Sequence, residues 1–292
     1  MTQSNLWKEY YLATTLDEAL ILLDKYKTKA KIIAGGTDLV LRIQERKITG
    51  IEVLVDISRV SEIKTIQEDD RWITIGAGVT LAELSRSVCI NTQATLLSKA
   101  AGLIAGKQIR NVATVGGNVV NASPAADLIP ALLVLETVVI TKKIQGISRE
   151  IPLNQFLLGV RKVDLNPDEI VVGFRFPKPA GDAYLVFRKV QPRQAMAISI
   201  LNMAIYLRLE ANLISEVRIA MGSVAPTAVR LLTLESILTG ISVDDTSKIS
   251  LDEHLQVDLF PISDFRGSRE YRLRLAQRLL QNELNDLQNK VR

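Results

Sequence analysis

Two double-glycine segments are the features of the sequence whose residue types could do chemistry. They are "AGGTD" at residues 34–38 and "TVGGN" at residues 114–118. Glycine lacks a Cβ, so it permits positive φ and close approach to the backbone, and successive N–H groups can then converge on one anion. Each N–H that meets a charged oxygen contributes about 1.5–3 kcal/mol, so about four or five such donors would hold a diphosphate without any lysine or arginine.

Taken singly, each segment is also typical of a plain turn, and the residues alone leave that alternative open.

Two other glycine motifs do not meet the requirements of a nucleotide site. "ITIGAGVTLAEL" has Leu81 where a dinucleotide-binding turn needs its third glycine. In "GLIAGKQ" the Gly102 to Gly106 spacing is one residue short of a P-loop, and Gln108 replaces the Ser or Thr that would hold Mg²⁺. We predict turns at both.

An uncharged stretch from Asn111 to Ala126 contains the second segment and runs into "DLIPALLVLE", which is typical of a buried helix. Ser123 is a candidate N-cap, with Pro124 at the first helical position. Asp127 would then lie in the first turn, where the helix dipole favours a carboxylate. The alternative role of Asp127 is to accept hydrogen bonds from the hydroxyl groups of a ligand.

The composition limits which catalytic groups the chain can supply. It has 292 residues, 47% of them hydrophobic and 23% charged, with a single cysteine, Cys89, and a single histidine, His254. One thiol and one imidazole build neither an internal disulfide, nor an iron–sulfur cluster, nor a zinc site. We interpret His254 as an ordinary residue of an amphipathic stretch. Any chemistry would therefore come from a bound organic cofactor.

The charge distribution and the apolar segments indicate where the protein works. The stretch from Arg266 to Arg292 has seven basic and three acidic residues, a surplus equal to the whole net charge of +4. This stretch is either a solvated helix face or a docking face for an acidic partner. No basic stripe is interleaved with aromatic residues, which argues against nucleic acid as a partner.

The longest apolar run, Leu128 to Ile140, is too short to span a membrane. No signal peptide is evident, so we expect a cytoplasmic protein.

The first half of the chain alternates helix and strand patterns. Thr15 with Glu18, and Thr80 with Glu83, have the spacing of capping boxes that begin helices. A further helix is predicted from about Thr92 to Gly102. The remaining predicted elements are the helices "LDEALILLDKY" and "TDLVLRIQER", the strands "AKIIAGG" and "IEVLVDI", and the hairpin "SEIKTIQEDDRWITIGAG".

The second half predicts a change of architecture near residue 180, where Pro177, Pro179 and Gly181 suggest a linker. Before it come the predicted helix from Pro124, the strands "TVVITKK" and "EIVVGFRFP", and the helix "PLNQFL". Beyond it, three strands of an antiparallel sheet are predicted, "AYLVFRKVQ", "AISILNMAIYLRLE" and "LISEVRIAMGSVA", followed by helices at 227–238, 245–259 and 268–287. This pattern indicates two domains.

The glycine segments and their surroundings together resemble a known family. "IIAGGTDL", about eighty residues before "AGKQIRNVATVGGNVVNASPAADLIPAL", is similar to the FAD-binding subunit of molybdenum hydroxylases. This group includes the FAD subunit of xanthine dehydrogenase and the medium subunit of carbon monoxide dehydrogenase. The similarity extends through "FRKVQPRQAMAIS" and "SDFRGSREYR", and so over essentially the whole chain.

The resemblance implies an α+β protein of two domains. Residues 1–177 would form an FAD-binding fold like that of p-cresol methylhydroxylase, with two α/β subdomains at roughly 1–57 and 58–177. Residues 182–292 would form a C-terminal molybdenum-hydroxylase flavoprotein domain, a three-stranded antiparallel sheet with a helical bundle.

The resemblance also implies a set of FAD contacts. Ile104 would meet the flavin, Asp127 would bind FAD hydroxyls, and Val171 and Lys189 are further matched contacts. Arg188 is adjacent to Lys189, and a gap of one residue in the match to the family would make Arg188 the FAD contact in place of Lys189. No catalytic residue and no metal ligand is implied on this chain. The first FAD loop would be Lys31, Ile32, Ile33, Ala34, Gly35, Gly36, Thr37, Asp38 and Leu39, and the second Thr114, Val115, Gly116, Gly117 and Asn118.

The implied function is that of an oxidoreductase subunit. Substrate would be hydroxylated at a molybdopterin cofactor on one partner subunit, and electrons would pass through [2Fe-2S] clusters of another to FAD and on to NAD⁺ or another acceptor. The single cysteine agrees with clusters held elsewhere. Two alternatives remain: a free-standing flavoprotein oxidoreductase of the same fold, and a scaffold that has lost its cofactor.

Overall fold

A computed structural model describes residues 7–193 and 196–291, and the chain begins with a small parallel sheet. Residues 1–6, Gln194 and Ala195 of the "FRKVQPRQAMAIS" motif, and Arg292 of the basic run lie outside the described residues. The sheet has the spatial order β1-β3-β2, and α1 and α2 connect its strands. Its elements are β1 Glu9–Leu12, α1 Leu16–Tyr26, β2 Ala30–Ile33, α2 Leu39–Gln44 and β3 Val53–Asp56.

The predicted capping box at the start of α1 is confirmed. The Thr15 hydroxyl accepts a hydrogen bond from the N–H of Glu18, and the Glu18 carboxylate accepts one from the N–H of Thr15. Within α1, buried side chains recur at the spacing of one helix face, which packs against the sheet. These residues are Leu16, Ala19, Leu20 and Leu23.

A second, antiparallel sheet has five strands in the order β4-β5-β10-β6-β7. The predicted hairpin is confirmed as β4 and β5, whose turn is closed by Asp69 accepting hydrogen bonds from the N–H groups of Arg71 and Trp72, both at 2.8 Å. The strands are β4 Ile66–Glu68, β5 Trp72–Gly76, β6 Val138–Lys142, β7 Ser148–Pro152 and β10 Ile170–Pro177.

Six short helices lie between β5 and β6. The predicted capping box of Thr80 and Glu83 begins α3 and is confirmed. The single helix predicted from Thr92 to Gly102 is wrong, because Ala94 adopts the non-helical angles φ −139° and ψ 55° and separates two helices. The six are α3 Leu81–Arg86, α4 Val88–Gln93, α5 Thr95–Gly102, α6 Lys107–Arg110, α7 Val115–Val120 and α8 Leu128–Val134.

The helix predicted to begin at Pro124 begins instead at Leu128, with Asp127 as its N-cap. The Ser123 hydroxyl accepts a hydrogen bond from the N–H of Ala125 in a local turn, and the carbonyl of Pro124 accepts one from the N–H of Ser223 at 2.8 Å. That tertiary bond holds residues 124–126 outside the helix. All residues of α8 are buried, as the apolar run predicts.

A small hairpin follows α9 Leu153–Phe156. It consists of β8 Leu157–Gly159 and β9 Lys162–Val163, with Arg161 in its turn. The N–H of Arg161 donates to the carbonyl of Ala122 at 3.0 Å, which ties the hairpin to the end of α7.

The C-terminal part is an antiparallel sheet covered by helices. The three predicted strands are confirmed, and a two-residue fourth strand pairs with β13. The helix predicted at 227–238 is shorter because Val229 and Arg230 form that strand, and the one predicted at 245–259 divides into a 3₁₀ helix, Val243–Lys248, and α11. The elements are β11 Tyr184–Val190, β12 Leu201–Glu210, β13 Leu213–Gly222, β14 Val229–Arg230, α10 Leu232–Leu238, α11 Leu251–Asp258 and α12 Arg269–Val291.

Helix α8 joins the two parts of the chain. It packs against β12 and β13, and Ala204 and Ala220 of those strands belong to the same apolar core as Leu132. The opposite face of the C-terminal sheet packs in a separate core that includes Leu234 and Leu280. In the described ranges, no helix combines the length and the apolar character that crossing a bilayer requires.

Candidate cofactor site

The first glycine segment connects β2 directly to α2, and it touches the residues that lead into the second segment. Gly36 has φ +69°, a backbone conformation that side chains with a Cβ rarely adopt. A Cβ on Gly35 would lie 2.0 Å from the carbonyl oxygen of Val112 and 2.9 Å from the nitrogen of Ala113. Because both obstacles are backbone atoms, only glycine lets the two segments come this close.

The first segment also provides unused hydrogen-bond donors. Within the part of the chain that the structure describes, the N–H groups of residues 35–38 have no acceptor. Residues 32–40 are all half-buried, so these donors lie at an accessible surface. Four neighbouring N–H groups of this kind favour an anion with several oxygens, and a diphosphate fits that description.

The second segment is not the glycine turn expected from the sequence; it forms the first turn of α7. The Thr114 hydroxyl caps this helix and accepts from the N–H of Gly117 at 3.0 Å. The N–H of Gly116 donates to the carbonyl of Ala77 at 2.8 Å, and a Cβ on Gly116 would lie 2.8 Å from the same oxygen. Gly116 therefore allows α7 to pack against the end of β5. The amides of this turn donate within the chain, from Val115, Gly116, Gly117 and Asn118.

What the second segment offers a ligand is a side chain. The Oδ1 atom of Asn118 is buried and has no hydrogen-bond partner within the described chain. A buried acceptor left unsatisfied costs about 1–3 kcal/mol, so a bound group with an N–H or O–H donor would be stabilised there. This atom and the free amides of residues 35–38 fit a ligand that has both a diphosphate and hydrogen-bond donors.

A polar cluster closes one side of the two segments. The Asn121 side-chain amide donates to Asp38 Oδ2 at 2.6 Å. The Arg161 guanidinium donates to Asn121 Oδ1 at 2.7 Å and to Asp38 Oδ1 at 3.3 Å. The three side chains come from the first segment, the residue after α7 and the β8–β9 turn. The cluster therefore fixes the relative positions of three segments distant in sequence.

A second polar cluster surrounds Asp127. The Lys189 ammonium lies 2.7 Å from Asp127 Oδ2, with side chains only 1% and 7% exposed. The other carboxylate oxygen accepts hydrogen bonds from the Ser199 hydroxyl and, at 2.7 Å, from the Asn202 amide. A buried carboxylate needs such compensation. Asp127 thus joins the C-terminal sheet to the start of α8, and its predicted contact with FAD hydroxyls stays a prediction.

The structure distinguishes Lys189 from its neighbour Arg188. Successive side chains of a strand point to opposite faces. Arg188 faces α12 and donates to the buried carboxylate of Glu283, whereas Lys189 faces Asp127 and also donates to the carbonyl of Leu103 at 3.0 Å. Lys189 is therefore the basic residue that lies beside the loop of Ile104.

The loop of Ile104 is held by an arginine of α6. Arg110 donates to the carbonyl oxygens of Ile104 at 3.0 Å and of Ala105 at 2.8 Å. The Ile104 side chain is half-buried and packs against the core that contains α8. Residues 103–113 thus run from the Lys189 contact to the Gly35 contact and connect both polar clusters.

The remaining predicted contacts lie on β2, at the start of α2 and on β10. The Lys31 side chain is exposed on β2, and Ile32, Ile33 and Leu39 are half-buried around the first segment. Val171 is buried in β10 within the core that also contains Val115. Their contacts with FAD stay predictions.

Four polar residues of the clusters are absent from the sequence prediction. Asn121 and Ser199 lie inside the quoted motifs, so their polar character was an available signal. Arg161 and Asn202 carry no local signal, because their partners are 40 or more residues away. Their roles become visible only in three dimensions. The added residues are Asn121, Arg161, Ser199 and Asn202.

The single cysteine and the single histidine are members of neither polar cluster. Nowhere in residues 7–193 and 196–291 do three or more His, Cys, Asp or Glu side chains gather in a metal site. Burial, helped by a hydrogen bond with Glu68, raises the pKa of the Cys89 thiol to about 11, which keeps it protonated and unreactive near neutral pH. His254 is a half-buried residue of α11.

Comparison with known proteins identifies the family. Residues 3–179 match the family described as FAD binding domain in molybdopterin dehydrogenase, and residues 186–287 match the CO dehydrogenase flavoprotein C-terminal domain. The chain is 33% identical to the xanthine dehydrogenase FAD-binding subunit of Escherichia coli O157:H7, over 95% of this chain and 94% of that protein. It is 29% identical to the carbon monoxide dehydrogenase medium chain of Hydrogenophaga pseudoflava, over 95% and 96%.

The solved structures agree with the sequence relatives. A chain of carbon monoxide dehydrogenase from Hydrogenophaga pseudoflava superposes with a TM-score of 0.90 at 28% identity, covering 95% of this chain and 96% of that one. This match confirms the expected mixed α/β fold with its C-terminal sheet and helices. The chain therefore belongs to the family of FAD-binding subunits of molybdopterin-dependent dehydrogenases, which includes the xanthine and carbon monoxide dehydrogenase flavoproteins.

Proposed function

We propose that the chain is the electron-transfer subunit of a molybdenum hydroxylase complex. Electrons would reach it from [2Fe-2S] clusters of an iron–sulfur subunit and leave to NAD⁺ or another acceptor, and substrate would be oxidised on a molybdopterin-binding subunit. The observation that carries the proposal is the contact of Gly35 with Val112, which brings the free amides of residues 35–38 beside the second segment in a chain of this family.

In this proposal the chain binds and orients FAD. The amides of residues 35–38 receive the diphosphate, Asn118 accepts a hydrogen bond from the cofactor, and Ile104 offers an apolar surface to the flavin ring. Lys189, held by Asp127, donates to the carbonyl of Leu103 and so fixes the loop that positions Ile104. FAD, when bound, takes up and releases electrons singly or in pairs. That chemistry requires no acid or base from this chain.

The domain organisation is part of the same proposal. We assign residues 1–177 to the FAD-binding domain, in two subdomains at roughly 1–57 and 58–177, and residues 182–292 to the C-terminal domain. The separate parallel and antiparallel sheets support the first division, and the change to a new sheet at Tyr184 supports the second. A cytoplasmic location completes the proposal.

An exposed apolar surface supports assembly with a partner. Phe260, Ile262 and Phe265 follow α11 and are exposed to 61%, 70% and 93%. Large apolar side chains exposed at neighbouring positions of the chain are candidates for protein–protein contacts. We name these three residues the apolar surface.

The test is purification of the chain from its own cells with its complex intact. The proposal predicts bound FAD in the chain and iron, acid-labile sulfide and molybdenum in co-purifying chains. FAD without iron or molybdenum, together with turnover by the chain alone, would favour the free-standing oxidoreductase. A chain that neither contains FAD nor binds added FAD would contradict both flavoprotein functions and would favour the alternative of a scaffold that has lost its cofactor.

A further inference from the structure

The turn of the β8–β9 hairpin holds an arginine in a strained backbone conformation. Arg161 has φ +57°, in the left-handed region that glycine and asparagine adopt more readily. Its N–H donates to the carbonyl of Ala122 at 3.0 Å, so the hairpin is fixed over the end of α7. Strained residues of this kind persist where the surroundings determine them, often at functional sites.

From this position the Arg161 side chain reaches the first glycine segment. Its guanidinium contacts Asp38, 123 residues earlier in the chain, at 3.3 Å, and Asn121 at 2.7 Å. Asp38 is the N-cap of α2, yet its side chain makes no capping bond. The carboxylate instead points to Asn121 and Arg161, both outside its own helix.

The position of Asp38 creates a charge problem for the proposed site. Its N–H is one of the four free donors of residues 35–38, and its carboxylate is 47% exposed. A diphosphate bound at those donors would be repelled by this carboxylate. The glycine segments themselves contain no basic residue, and Lys31 on β2 makes no ion pair with Asp38 among the described contacts.

We propose that Arg161 is a positioning residue that neutralises Asp38 and so allows the amides of residues 35–38 to bind a diphosphate. This inference rests on the proposed FAD site and adds to it the residue that makes the site electrostatically acceptable. Arg161 acts through Asp38, so the effects of changing the two residues are coupled. The strained turn delivers the guanidinium to this point.

The test is a titration of the FAD-free chain with FAD, followed by flavin fluorescence, in a set of variants. Arg161→Gln should raise the Kd for FAD about tenfold or more in the natural chain, and less than about twofold when Asp38→Asn is already present. Lys162→Gln is the matched control, because Lys162 is the next residue, is exposed, and makes no ion pair with Asp38 among the described contacts. Its Kd should stay within about twofold of the natural value.

A further variant separates the charge effect from folding. Arg161→Gly removes the same guanidinium and relieves the positive φ, so its FAD-free melting temperature should exceed that of Arg161→Gln while its Kd rises equally. An unchanged Kd in Arg161→Gln would overturn the inference while the FAD site stands. Equal losses with and without the Asp38→Asn substitution would also overturn it, because Arg161 would then act independently of the Asp38 charge. A natural chain without FAD affinity would overturn the proposed function as well.

Discussion

Lys189 and Asp127 form a buried ion pair, 2.7 Å from Nζ to Oδ2, between β11 and the N-cap of α8. Both residues were expected to contact the cofactor, and the structure brings them into contact with each other. The Lys189 ammonium also holds the carbonyl of Leu103, the residue before Ile104. The C-terminal sheet therefore takes part in shaping the cofactor site.

The first prediction concerns this pair. Lys189→Met removes the cation beside the buried Asp127 carboxylate, which keeps only its hydrogen bonds from Ser199 and Asn202, and should lower the free energy of unfolding by about 3–5 kcal/mol. Adding Asp127→Asn should recover part of that loss, because the buried charge is then removed. Urea denaturation measures both changes. Lys248→Met, at an exposed pair with Asp245, is the control and should have no measurable effect. A Lys189→Met chain as stable as the control would contradict the assigned role of the pair.

The second prediction concerns Gly35. Gly35→Ala places a Cβ 2.0 Å from the Val112 carbonyl oxygen, so the two glycine segments must separate. Bound FAD per chain, measured by visible absorbance, should fall about tenfold or more, since a misplaced donor set loses more than about 1.4 kcal/mol. Gly181→Ala is the control, because a Cβ there meets nothing within 4 Å. Full FAD content in Gly35→Ala would mean that FAD binding does not require the close contact between the two glycine segments.

The third prediction concerns pH and Glu169. Burial alone would raise the pKa of this carboxyl, but hydrogen bonds from Arg149, Thr141 and Asn166 lower it to about 2. Because the folded pKa is depressed, its stabilisation is present above the unfolded pKa of about 4.5 and is lost as pH falls toward 2.

Glu169→Gln should therefore destabilise the chain near pH 7 by about 3 kcal/mol, and the difference from the natural chain should shrink as pH falls from about 5 to about 3. Urea denaturation at several pH values measures this. Glu150→Gln, at a more exposed partner of Arg175, should give a smaller, flatter difference. A Glu169→Gln difference that does not change with pH would show that Glu169 does not titrate in the expected range.

The fourth prediction concerns the apolar surface. Phe265→Ser removes its most exposed side chain, so recovery of iron and molybdenum with the purified chain should fall severalfold while FAD per chain stays the same. Val88→Ser, at an 81% exposed position on α4, is the matched control. Undiminished recovery of both metals in Phe265→Ser would remove this surface from the partner interface.

Short-range signals were the most reliable part of the sequence. Both capping boxes and the three long C-terminal strands depend on residues a few positions apart, and the structure confirms them. The sequence predicts close backbone approach and positive φ at the first double glycine. Gly35 shows the close approach, because a Cβ there would clash with the backbone, and Gly36 shows the positive φ.

Long-range contacts account for what the sequence could not predict. The carbonyls of Val79 and Ala77 accept hydrogen bonds from the N–H groups of Val115 and Gly116, so the first amides of α7 are occupied within the chain. The hydrogen bond from the N–H of Ser223 to the carbonyl of Pro124 holds residues 124–126 outside α8, which begins at Leu128. Arg161 reaches Asp38 across 123 residues, and no spacing rule within one segment can reveal such a pair.

The central claim is that the amides of residues 35–38 recognise a diphosphate. Isothermal titration of the FAD-free chain with FAD and with riboflavin, which carries the same flavin ring but neither the diphosphate nor the adenosine beyond it, tests it most directly. We predict one FAD bound per chain and an affinity for riboflavin about a hundredfold or more weaker, because at least two charge-assisted hydrogen bonds are lost. Equal affinity for the two compounds would contradict the account.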